Sequence, residues 1–143
     1  MKTSSFVLGV IFAVAVVFVL LMVLGVNFRP PLTAQGAALY NPANEVVMEG
    51  VVQGIQDFAC PVSEGEVGSH LTQKTGDSVV LVHLAPGRIM RSQKLSFAPG
   101  DQIAVLGSKF RFHGNDDLIA REITRGNETL VFRDREGKLM LVQ

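Results

Sequence analysis

Residues 99–107 read Pro-Gly-Asp-Gln-Ile-Ala-Val-Leu-Gly. The first three residues are typical of a tight turn, and the apolar run that follows them predicts a β-strand over residues 102–112. Alternate positions of a strand share one face, so Ile103 and Val105 belong together. We expect Val105 to point into the interior of the domain.

Similar β-type segments lie on both sides of this strand. Strands are predicted at residues 46–55, 69–74, 79–84, 102–112 and 118–124, and a terminal hairpin at residues 129–133 and 139–142. A short helical connection is predicted between the third and fourth strands, over residues 88–94. Three strands, a helical connection and two strands are the order of the oligonucleotide/oligosaccharide-binding (OB) fold, a Greek-key barrel. We therefore predict an all-β, OB-like five-stranded barrel with an added C-terminal hairpin over residues 45–143, with a small β-sandwich as the alternative.

The N-terminal segment is predicted to be a membrane anchor. Residues 6–26 form a run of 21 residues without a charged or polar side chain. A helix of that length spans roughly 31 Å, which matches the hydrocarbon core of a bilayer. We predict an uncleaved transmembrane anchor over residues 1–27, with Lys2 in the cytoplasm and the C-terminal domain outside the inner membrane. A signal peptide cleaved near residues 34–38 is the alternative. Proline, glycine and asparagine predict a linker over residues 28–44.

Composition limits the function classes. The 143-residue chain has no net charge, and the part after the anchor carries all 13 acidic residues and 12 of the 13 basic ones, a net charge of about −1. A nucleic-acid-binding domain is typically far more basic. Cys60 is the only cysteine, so an intramolecular disulfide is impossible. We expect no nucleic-acid partner.

Several motifs, taken in order, resemble a group of small, mostly uncharacterised exported bacterial proteins with an OB-type barrel. They are His83-Leu84-Ala85-Pro86, Gly100-Asp101 with Gly107-Ser108, Leu118-Ile119-Ala120-Arg121-Glu122-Ile123, and Arg133-Asp134-x-x-Gly137. Residues 99–107 look like the fourth strand of such barrels. The resemblance covers residues 79–137 and implies a fold and an exported location, but no chemistry.

The combination of an anchor and an exported barrel is also similar to the membrane-anchored haem chaperone of cytochrome c biogenesis. That family attaches haem through a His-x-x-x-Tyr motif. No tyrosine stands four residues after His70, His83 or His113. The similarity is therefore one of architecture and does not extend to the residues that hold haem.

Three residues are candidates for binding a metal or cofactor. His83 ends an apolar strand just before a Pro-Gly turn, where an imidazole can bind haem or a metal. We favour the other interpretation, in which His83 bonds a loop carbonyl and fixes the turn. Cys60 and His70 would complete a soft-metal ligand set with His83, although their spacing is not that of a zinc motif. The other interpretation of Cys60 is a free thiol, and no cofactor is favoured.

The remaining charged residues predict structure rather than catalysis. Asp117 is expected in a hairpin turn, and no nucleophile, base and oxyanion set accompanies it. Arg88 and its basic neighbours are expected on a solvated face. Phe110 and Phe112 flank Arg111, which fits either single-stranded nucleic acid or alternation about a core, and the charge balance favours the core.

The sequence thus predicts a membrane-anchored, extracytoplasmic, non-enzymatic binding or scaffold module for a membrane or envelope protein partner. The alternative is a haem or metal carrier that uses His83.

Overall fold

A computed structural model of the chain describes residues 10–11, 13–14, 16, 39–63 and 65–141. The chain divides into two compact units, Met1–Pro31 and Leu32–Gln143. The described residues of the first unit are helical and have exposed side chains. Within the described residues, no helix combines the length and the apolar character needed to span a bilayer. Most of the predicted anchor, and the predicted linker before residue 39, lie outside the described residues.

The second unit contains a six-stranded β-sheet and a short helix between its third and fourth strands, as the all-β prediction required. Its elements are β1 (Glu45–Ala59), β2 (Val67–Thr75), β3 (Ser78–Pro86), α1 (Gly87–Ser92), β4 (Gln102–Phe112), β5 (Asn115–Arg125) and β6 (Glu128–Val131). Two 3-10 helices, Pro42–Asn44 and Pro61–Ser63, stand before and after β1. The bounds of β4 are those that the sequence predicted.

The strands follow the order β3-β2-β1-β4-β5-β6, and β3 also pairs with β5. The β3–β5 pairing is parallel and joins Val82 to Leu118 and His83 to Ile119, whereas the other pairings are antiparallel. The first five strands therefore form a closed ring, and β6 extends the sheet from β5.

The interior of the ring is the main hydrophobic core. Inward positions alternate along each strand, as at Val80, Val82 and Leu84 of β3, all of which are buried. Val105 is fully buried and faces this core, which confirms the predicted orientation. Gly107 lets β4 approach β5 closely, because a Cβ at this position would collide with the carbonyl oxygen of Ile119.

A second apolar cluster lies on the opposite face of these strands. It comprises Tyr40, Cys60, Val62 and Ile119, with Phe58, Phe110 and Phe112 packed against them. Ile119 belongs to it because its neighbours Leu118 and Ala120 point the other way, into the main core. An apolar cluster outside the ring must be shielded from water, and the segments beside Tyr40 and Cys60 shield it.

Residues at the end of the predicted linker pack against the ring. Tyr40 is 5% exposed, and its hydroxyl donates to Oε1 of Glu45 at 2.5 Å. The backbone N–H of Asn41 donates to Oγ of Ser108, which in turn donates to the carbonyl of Asn41, both at 3.0 Å. The chain is therefore tied to β4 before β1 begins.

The predicted terminal hairpin is wrong in part. Residues 128–131 form β6, but the described part of the expected last strand, residues 139–141, makes only one bridge, between Arg133 and Leu139. The backbone N–H groups of Phe132 and Arg133 instead donate to the carbonyl of Arg121 in β5, at 2.7 and 3.2 Å. The side chain of Arg133 turns inward, where Nη1 donates to the carbonyls of Leu84 at 2.5 Å and Ala120 at 2.6 Å. These hydrogen bonds hold the residues after β6 against the end of the strand ring.

Two segments that the sequence predicted as loop or turn belong to β-strands. The loop expected from residue 56 begins only after Ala59, because residues 56–59 pair with β2. The turn expected between the strands at residues 102–112 and 118–124 is shorter, because β5 starts at Asn115. Asp117 is thus a strand residue, which contradicts its predicted turn role.

Replacement of Val105 by Asp should lower the free energy of unfolding by at least about 3 kcal/mol, because it places an unpaired carboxylate in the main core. Lys109→Asp is the matched control, since Lys109 is an exposed residue of the same strand. Urea denaturation of the full chain in mild detergent measures both. Equal effects of the two substitutions would show that the assigned register of β4 is wrong.

Candidate metal centre

Cys60 is held in a tight turn directly after β1. The turn closes through hydrogen bonds from the N–H groups of Ser63 and Gly65 to the carbonyl of Cys60, at 3.1 and 3.2 Å. Pro61 suits the first helical position, where no N–H is needed. The turn lies close over β2 because Gly68 has no side chain: a Cβ there would collide with Oγ of Ser63.

His70 and His83 are brought together by strand pairing. They are directly opposite each other in the β2–β3 ladder. His83 also lies beside Ile119 in the parallel pairing with β5. Both imidazoles point away from the main core and into the second cluster, because the adjacent residues Leu71 and Val82 face the main core.

One ligand atom from each of Cys60, His70 and His83 lies within 4.8 Å of the other two. Sγ of Cys60 is 3.2 Å from Nε2 of His70 and 3.5 Å from Oγ of Ser63. The three side chains belong to residues that are 4%, 0% and 1% exposed. Donors bound to one metal ion are separated by about 3.4–3.8 Å, given metal–sulfur and metal–nitrogen bonds of about 2.3 and 2.0 Å. The group is therefore close to the spacing that coordination requires.

Aromatic rings enclose the two imidazoles. Phe58 stacks on His70 with 3.7 Å between ring centroids and 7° between planes. Phe110 and Phe112 meet His83 edge-on, at 4.9 and 5.1 Å between centroids. These phenylalanine rings fix the orientations of the two imidazoles and keep the surroundings of the donor atoms apolar.

Asp117 forms a hydrogen bond with one ring nitrogen of His83. Nε2 of His83 is 3.2 Å from Oδ2 of Asp117. Burial lowers the pKa of His83 to about 3, and the nearby His70 and Arg133 lower it as well. Burial, followed by the charge of Asp116, raises the pKa of Asp117 to about 6. At neutral pH the contact is thus a hydrogen bond from a neutral imidazole to a carboxylate, rather than an ion pair.

In both histidines the second ring nitrogen, Nδ1, has no hydrogen-bond partner of normal geometry. With Nε2 of His83 donating to Asp117, Nδ1 carries the lone pair, and this buried atom has no hydrogen-bond partner. In His70, Nε2 faces Cys60. Nδ1 of His70 lacks a hydrogen bond of normal geometry; burial lowers the pKa of the ring, while the backbone carbonyls of Gln56 and Gly68 raise it. Metal-binding histidines commonly have one nitrogen near such oxygen acceptors.

Arg133 is a buried cation near this group. It is 3% exposed, and no carboxylate in the described part of the chain forms an ion pair with it. Burial lowers its pKa to about 10, and electrostatic interactions with Tyr40 and Cys60 act in the opposite direction. The guanidinium is therefore charged at neutral pH, and it lowers the pKa of His83.

The structure unites all three ligand candidates of the sequence. His83 bonds a carboxyl group, however, instead of the loop carbonyl expected for it. His113 is not part of the group and stands exposed in the turn between β4 and β5. Sequence reasoning missed Asp117 and Gly68 as supports, because both roles depend on contacts between distant strands.

The other candidate surfaces carry ordinary surface contacts. Arg111 is exposed and pairs with Asp116 at 2.6 Å, while the phenylalanines on either side of it pack in the second cluster. Arg88 pairs with Glu66 at 3.0 Å on the surface. The basic residues thus fit the predicted solvated faces.

These features define a small all-β domain with a buried cysteine–histidine cluster on the outer face of its strand ring. Residues 45–130 match the model of the MamS/MamX magnetosome protein family. The match spans more than half of the 143 residues, and the chain belongs to this bacterial family. No curated protein matches the chain.

The raised pKa of Asp117 predicts a pH-dependent stability difference. The folded state holds this proton more tightly than the unfolded chain, so ionisation opposes folding. The penalty is absent below the ordinary pKa of 3.8 and complete above about 6. Relative to wild type, Asp117→Asn should therefore gain as much as about 3 kcal/mol of unfolding free energy between about pH 4 and about pH 8.

Chemical denaturation of both proteins at the two pH values measures this gain. Asp77→Asn, in the exposed β2–β3 turn, is the control and should show no comparable change. A pH-independent difference between wild type and Asp117→Asn would contradict the assignment.

Proposed function

We propose that the chain is a membrane-anchored, non-enzymatic binding module of a magnetosome-associated system, and that its ligand is a metal ion held by Cys60, His70 and His83. The observation that carries the proposal is the convergence of a thiol and two imidazoles within 4.8 Å in residues at most 4% exposed. Burying polar groups without partners is costly. A metal ion would use the lone pairs that the protein leaves unpaired.

A metal ion suits the site better than haem, the other ligand that the sequence left open. The ring of His83 is enclosed by His70, Phe110 and Phe112, with centroid distances of 4.5–5.1 Å. A porphyrin would have to displace these rings, and therefore the packing of the second cluster. A single ion needs only small side-chain adjustments.

The strand ring is further proposed to be an OB-type barrel. The pairing of β1 with both β2 and β4, the parallel pairing of β3 with β5, and the helix between β3 and β4 support this assignment. The site would then lie on the outer face of the barrel wall, where strands β2, β3 and β5 meet.

A protein partner remains the second candidate ligand, and a specific surface favours it. Val47, Val51 and Val79 are 64%, 38% and 57% exposed. Val51 and Val79 lie in one row of the sheet, on either side of Lys74. Exposed apolar residues that lie together are characteristic of interaction surfaces, as a scaffold role in a membrane-related system requires.

The metal role predicts that the full chain, reduced and stripped of metal in mild detergent, binds one ion of Cu(I), Zn(II) or Co(II) per chain. Cys60→Ser, His70→Gln and His83→Gln should each weaken binding by more than about 100-fold, because even the loss of supporting contacts around a metal site costs about 10–100-fold. Equilibrium dialysis with elemental analysis provides the measurement.

His113→Gln is the matched control, because it removes the one histidine outside the cluster and should bind as wild type does. Circular dichroism establishes that each variant is folded. If the chain binds none of the three ions, or binds them equally well after Cys60→Ser, the metal role is wrong.

The anchor and its orientation are tested separately. We expect a phosphatase fused after Gln143 to be active, because Lys2 favours a cytoplasmic N-terminus and so an exported domain. N-terminal sequencing should find the mature chain starting before residue 6. An inactive fusion would contradict the orientation, and a start near residues 34–38 would show a cleaved signal peptide instead.

A further inference from the structure

Resting on the metal-binding role proposed above, we infer that the centre is selective for copper(I) over zinc(II). The ion would be held by Sγ of Cys60 and one ring nitrogen each from His70 and His83. The inference rests on the donor set, on the number of donors and on the charge of the surroundings, which are independent features of the site.

The donor set favours copper. A thiolate is a soft ligand that selects Cu(I) and zinc, and a trigonal set of two histidines and one cysteine is the arrangement found in copper proteins. Cys60, His70 and His83 supply that set. The ring contacts of both histidines, with Phe58 and with Phe112, hold the donors in place before an ion arrives.

The number of donors disfavours zinc. Structural zinc sites have four protein ligands, and zinc sites with three protein ligands complete their coordination with water or substrate. Within the described residues, no further histidine, cysteine or carboxylate joins the group of three. The apolar rings around the imidazoles offer a zinc-bound water few hydrogen-bond partners. Three-coordinate Cu(I) needs no such water.

The charge of the surroundings separates the two ions most clearly. A complex of Cu(I) with one thiolate and two neutral imidazoles has no net charge, whereas the zinc(II) complex has a charge of +1. Arg133 is buried nearby with carbonyl groups as its partners and no ion pair among the described residues. The carboxylate of Asp117, which is hydrogen-bonded to His83, offsets the charge of Arg133, so the zinc complex would add one uncompensated positive charge to a medium of low polarity. The neutral copper complex avoids this cost.

Competition experiments on the full chain, in mild detergent under anaerobic conditions, test the inference. Cu(I) is titrated against bathocuproine disulfonate and Zn(II) against a zinc-chelating dye. We expect Cu(I) to bind at least about 100-fold more tightly than Zn(II), and Cys60→Ser to abolish the Cu(I) binding. Tight zinc binding with weaker copper binding would overturn the inference and leave the metal role standing. Binding of neither ion would overturn the inference, and the absence of Co(II) binding as well would overturn the metal role.

Arg133→Gln tests the charge argument. Glutamine keeps a donor for the carbonyls of Leu84 and Ala120 but removes the positive charge. Zinc affinity should rise about tenfold, while Cu(I) affinity should stay within about threefold of wild type because its complex is neutral. Equal changes for the two ions would overturn the inference. Thermal unfolding verifies the fold, and if this variant does not fold, the wild-type ratio of affinities decides.

Discussion

The parallel pairing of β3 with β5 is the constraint on which the rest of the structure depends. It joins only Val82 to Leu118 and His83 to Ile119, yet it closes the ring of strands. Because neighbouring residues on a strand face opposite sides, the same two pairs place Val82 and Leu118 in the main core and His83 and Ile119 in the outer cluster. Arg133 then joins the carbonyls of the two strands just beyond the pairing.

The second cluster must be shielded from water, and two segments of the chain shield it. The Cys60 turn lies over β2 because Gly68 leaves room for Ser63. Tyr40 approaches from the N-terminal side, at a place where a Cβ on Gly137 would collide with its ring. These segments bring a thiol to the imidazole of His70 and close the cluster to solvent. The fold therefore brings the three candidate ligands together as part of its own packing.

The sequence predicted what depends on local pattern. Alternation identified β4 and the inward side of Val105, and the turn formers separated the strands. The residue types Cys60, His70 and His83 marked a soft-metal set, but not its geometry. Asp117 was missed because its role comes from a contact 34 positions away in the sequence. The contacts of Arg133 could not be predicted, because they depend on carbonyl groups that only the closed ring brings together.

The electrostatics of the centre explain why its polar groups are tolerated inside an apolar cluster. Burial keeps His83 neutral by lowering its pKa, and the carboxylate of Asp117 fixes which nitrogen carries the proton. The imidazole then costs less to bury than an imidazolium would, but Nδ1 still lacks a partner. The proposed copper(I) complex would add no net charge to this cluster. Its neutrality and the neutrality of the free imidazoles would then have the same physical origin, the low polarity of the second cluster.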